Sequence, residues 1–65
     1  MTVNQIKKEI SKKLKGKNYN QKFEMLINIK VTIKECESYG ILTEEESKIL
    51  LIYVTNLCED LYYMS

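Results

Sequence analysis

The sequence predicts an all-α fold: a small three-helix domain built on an antiparallel helical hairpin, with a basic N-terminal amphipathic helix. Three observations carry that expectation. The stretch Tyr39-Gly40-Ile41-Leu42-Thr43-Glu44-Glu45-Glu46 ends one helix and starts another within a few residues. Val3, Ile6, Ile10 and Leu14 recur at helical spacing, and so do Leu50, Val54, Leu57 and Leu61 near the other end of the chain. A single domain over residues 1–65 follows, with helices over about 3–15, 20–39 and 44–62.

The first helix opens at Thr2, whose hydroxyl can cap it, with Gln5 three residues on to complete a capping box. Its apolar stripe is narrow. Lys7, Lys8, Lys12, Lys13 and Lys15 occupy most of the remaining circumference, so the helix is basic and largely solvated. Gly16 ends it, Gly16-Lys17-Asn18 makes a turn, and Asn18 or Asn20 can cap what comes next.

The middle segment is ambiguous in local pattern. Ile27-Asn28-Ile29-Lys30-Val31-Thr32-Ile33-Lys34 alternates apolar and polar residues, as a half-buried strand would. On a helix, the same region puts Met25, Leu26, Ile29, Ile33 and Cys36 on one face and Phe23, Ile27 and Val31 on a second stripe. A strand needs a partner. The other β-branched run, Ile49 to Thr55, follows directly from a helix cap, which leaves pairing across a dimer as the strand's one route. Helix is the favoured expectation, and two apolar faces suit a central one.

At the corner, helix ends leave backbone carbonyls and amides unpaired that flanking residues must satisfy. Gly40 can take the left-handed conformation, with Ile41 placed to touch Cys36. Thr43 and Glu46 then form a capping box, and Glu44 and Glu45 sit on the positive end of the helix dipole. So short a connection makes the two helices antiparallel neighbours. The corner is similar to that of short helical oligomerisation domains with a Gly-Ile-Ile-Thr-x-Glu-Glu pattern. The likeness is confined to these residues, departs at Ile49-Leu50-Leu51-Ile52, and implies good corner chemistry without membership of a family.

The third helix is apolar beyond its core face, because Ile49 to Val54 run consecutively and cover the whole circumference. Such a helix is expected to be enclosed. With one thin amphipathic helix left to cover it, some of its surface is expected to meet a second copy or a target.

Composition narrows the class. A chain of 65 residues holds a marginal core, so self-association is a reasonable expectation. Pro, Ala, Arg, Trp and His are absent while Lys, Ile, Asn and Tyr abound, the usage of an AT-rich genome such as that of a low-GC bacterium, its phage or a mobile element. The longest apolar run is too short to span a membrane and the N-terminus lacks an apolar signal region, so the expected location is cytoplasmic, with no membrane partner. Cys36 and Cys58 fall too far apart along the hairpin for a disulfide and are expected to be reduced, small hydrophobes.

Charge is uneven. Residues 1–22 hold seven lysines against Glu9 alone, and residues 23–65 hold three lysines against eight acids. The basic helix can sit on phosphates or on an acidic protein, or simply solvate a surface and pair with the acidic half. Lysine lacks arginine's bidentate fork for guanine, and a helix opening on three glutamates is a poor recognition helix.

Catalysis is not expected. No histidine is present, Glu59 and Asp60 point in different directions on a helix, and metal-ligand spacing, a cofactor motif and a glycine-rich phosphate loop are all missing. The expected function is a non-enzymatic protein-interaction module, plausible in size and source for a phage or mobile-element inhibitor or accessory factor, and homodimeric. Its expected partner surface is Tyr53, Tyr62, Tyr63 and Met64. The alternative is a nucleic-acid-binding accessory protein using Lys7, Lys8, Lys12, Lys13 and Lys15.

Overall fold

The computed structural model describes residues 2–64, with side chains described through Tyr63. Three helices follow one another among them: α1 (Val3–Leu14), α2 (Tyr19–Ser38) and α3 (Glu44–Met64). No strand occurs among the described residues, so the alternating segment 27–34 is helical. Thr32 shows how its polar positions adapt, since its hydroxyl donates to the Asn28 carbonyl at 3.0 Å, one turn back.

All three helices open on a capping box. The Gln5 amide donates to Thr2 Oγ1 at 3.2 Å and the Thr2 amide to Gln5 Oε1 at 2.9 Å. Asn18 and Gln21 exchange the same pair of bonds at 2.9 and 3.2 Å, which makes Asn18 the cap of α2. Thr43 and Glu46 repeat the arrangement at 3.0 and 3.1 Å. Each box satisfies two amides that the helix itself cannot, and each cap stabilises its helix by about 1 kcal/mol.

Both glycines act at helix ends with φ of 78°. Lys15 adopts φ −64° and ψ 138°, Gly16 follows in the left-handed region, and the Lys17 amide donates to the Leu14 carbonyl at 3.4 Å. These are the marks of a type II turn, and they stop α1 at Leu14, one residue before the sequence-based boundary. At the end of α2, the Gly40 amide donates to Glu37 O at 3.1 Å and the Ile41 amide to Cys36 O at 2.9 Å, the two bonds of a Schellman ending. Cys36, Ile41 and Leu42 line one groove beside this ending. Ile41 is 71% exposed, while Leu42 packs against the core.

The core consists of Ile10 from α1, Leu26 and Ile33 from α2, and Leu50 and Val54 from α3. Leu26, Leu50 and Val54 are completely inaccessible, and burying each contributes about 1.5–3 kcal/mol. Leu57 and Leu61 extend the α3 face as expected. The central helix is α3, not α2. Both other helices pack on α3, whereas α1 and α2 scarcely meet. The physical reason is circumference: α3 has apolar residues all round and can bury two flanks, while α2 has one well-packed face. Consequently the second stripe of α2, Phe23, Ile27 and Val31, stays exposed, and so do Ile49 and Ile52 of α3. The longest dimension of the molecule, 35 Å, is little more than the length of α3.

Candidate functional site

Two surfaces stand out, one basic and one apolar. On the first, Lys7, Lys8, Lys12 and Lys15 line a shallow depression together with Asn4, Ser11 and Tyr53. Residues three, four and seven apart share a helix face, which is how α1 gathers these lysines. Tyr53 forms the floor from α3. Its hydroxyl lies 2.7 Å from Ser11 Oγ and donates to the Lys7 carbonyl at 3.4 Å, and Lys7 Nζ stands 5.2 Å from its ring centroid. Tyr53 therefore fastens α1 to α3.

No lysine among the described residues is ion-paired, and no acidic side chain lines this depression. Lys8 and Lys12, one turn apart, repel each other by a few tenths of a kcal/mol, and the one acid of α1, Glu9, makes no ion pair with either. Lys13 does not belong to the group. It faces the groove between α1 and α2, where Lys17 and Glu24 also lie.

The tyrosines expected to form one partner surface are separated. Tyr62 and Tyr63 meet edge to face at 5.5 Å between centroids and are both exposed near the end of α3. Tyr53 lies about 13 Å back along the same helix and is engaged with α1. The Met64 side chain lies outside the described residues.

The second surface is the α2 stripe. Phe23, Ile27 and Val31 are 37%, 47% and 52% exposed, and Tyr19 continues the row by stacking on Phe23 at 6.2 Å. Each of Phe23 and Ile27 sits two residues before Met25 and Ile29, hence on nearly the opposite side of the helix. Met25 and Ile29 line the groove toward α1, so the stripe faces away from α1. Sequence analysis found this stripe by its four-residue spacing but assigned it to the interior.

Chemically, these surfaces offer cations and apolar area for binding. The Glu46 carboxylate is held below its ordinary value by hydrogen bonds from the Thr43 backbone and side chain, which is helix capping. Among the described residues, no group of three or more Cys, Asp or Glu side chains is placed to hold a metal ion. None of the helices described is long and apolar enough to cross a membrane. No protein-family profile matches the chain, and no curated protein or solved structure matches it either.

Proposed function

We propose that the protein is a small non-enzymatic protein-interaction module, in which an antiparallel α2–α3 hairpin braced by the basic, amphipathic α1 presents an apolar flank to a partner. The observation that carries this is the exposed row Phe23, Ile27 and Val31 on a face turned away from α1. Contiguous apolar side chains left in water mark interaction surfaces in small proteins. An inhibitor or accessory factor of a phage or mobile element, acting in the cytoplasm of a low-GC bacterium by masking a host protein, fits the size and composition. Tyr62 and Tyr63 supply further amphipathic contact area at the end of α3.

A photo-reactive amino acid at Val31 tests the proposal in cells of such a bacterium. Discrete protein adducts on irradiation are expected, and their absence would overturn it. A second reading rests on Lys7, Lys8, Lys12 and Lys15 around Tyr53, none of them in an ion pair: the module engages nucleic acid through phosphates. The same amino acid at Lys8 tests that reading, with nuclease-sensitive adducts expected and none if it is wrong.

A further inference from the structure

The molecule has more surface than its mass calls for. Its accessible area is 4996 Å², whereas a monomeric protein of 7.7 kDa is expected to expose about 4,300 Å². The surplus of roughly 700 Å² is close to the ~800 Å² that each partner buries in a standard interface. Some of it comes from the elongated outline, which spreads helix flanks that a rounder protein would cover.

The α2 stripe has the symmetry of a self-interface. Its apolar residues are spaced by four, and ridges of that spacing pack into each other when two helices cross. A two-fold axis placed at Ile27 sets Ile27 on its own copy and Phe23 level with Val31 of the second copy. Near the crossing on the same axis Glu24 stands level with Lys30, so the charges that flank the contact are of opposite sign. An isologous contact requires this self-complementarity, which a surface shaped for a different partner does not need. The basic depression on α1 lies away from the axis and stays open.

We infer that the protein forms a two-fold homodimer in which the Phe23, Ile27 and Val31 stripe of α2 packs against the same stripe of a second copy. This rests on the interaction reading above and names the partner as the chain itself. Ile27 stands at the centre of the interface, where the two α2 helices come closest.

Sedimentation of the full chain should give a mass about twice 7.7 kDa. Ile27→Lys should halve that mass with the helical circular dichroism retained, because Ile27 is half exposed in the folded chain. With Cys36 and Cys58 replaced by serine, Ile27→Cys should oxidise to a covalent dimer, and Glu9→Cys should not. A wild-type protein that sediments as a monomer at micromolar concentration and above would overturn the inference, as would an Ile27→Lys variant that stays dimeric. A monomer whose Val31 position still cross-links a different protein would end the homodimer and leave the interaction reading standing. A monomer without protein adducts would end both.

Discussion

Replacing Ser47 with alanine should make this protein more stable. Ser47 lies on α3, is 1% exposed, and its hydroxyl has no hydrogen-bond partner among the described residues. An unpaired buried hydroxyl is destabilising by about 1–3 kcal/mol relative to its hydrated state. Alanine removes that penalty and improves helix propensity by about 0.5 kcal/mol. Against this stands the loss of one oxygen's dispersion contacts, each about 0.1–0.2 kcal/mol, from a site too small to leave a cavity that matters. The net gain is about 1–2 kcal/mol, a rise of roughly 5–15 °C in Tm for a domain this small. Thermal and urea unfolding followed at the helix dichroism band measure it, and an unchanged urea slope would show that the denatured state is not the cause. Ser11→Ala is the matched contrast, because that hydroxyl is paired with Tyr53: losing the bond costs about 0.5–1.5 kcal/mol against the same helix-propensity gain of about 0.5, a net cost of about 0–1 kcal/mol. A Ser47→Ala protein of equal or lower stability would refute the reasoning and mean that the hydroxyl is satisfied in solution.

Other outcomes follow from the same geometry. Gly40→Ala meets no atom within 4 Å but must adopt φ of 78°, so unfolding titrations should show a loss of about 1–2 kcal/mol from backbone strain alone. Glu46 has a depressed pKa in the folded state, so its contribution is present above the ordinary glutamate value of 4.5 and is lost as pH falls through the lower, folded value. Glu46→Gln keeps the capping box without the charge, and its stability relative to wild type should therefore rise on acidification; parallel pH profiles would contradict the assignment. If the lysine depression engages duplex DNA through Lys7, Lys8, Lys12 and Lys15, affinity should fall about 100-fold between 50 and 200 mM salt, and a flat response would remove that reading. Serine at both Tyr62 and Tyr63 should weaken partner binding with helix content unchanged, and full binding would exclude the end of α3 from the interface.

What the sequence made legible was local chemistry. Thr2 and Thr43 act within three residues of themselves, and Gly40 needs only its own φ, so these caps and the corner could be read directly, while the cap of α2 stayed open between Asn18 and Asn20 until the structure showed Asn18. The type II turn at Lys15 was harder, because lysine is a good helix former and only Gly16 betrays the stop. Which helix lies at the centre was not legible. Both α2 and α3 carry more than one apolar stripe, and the choice between them depends on where α1 docks, a non-local matter settled by Ile10 in the core and Tyr53 bonded to Ser11. The same gap hid the role of Tyr53, which had the look of a contact residue and fastens two helices. Lys13 was counted with its neighbours by sequence although the turn of α1 carries it to the other groove.

The most direct measurement is retention of partner protein, an untagged second copy of the chain included, by the tagged full chain after nuclease treatment, compared between wild type and Ile27→Lys. Protein held in near-stoichiometric amount by the wild type and lost from the equally helical variant is the expected result. Retention that is indifferent to Ile27→Lys, or that disappears with nuclease, would contradict the apolar flank of α2 as the working surface.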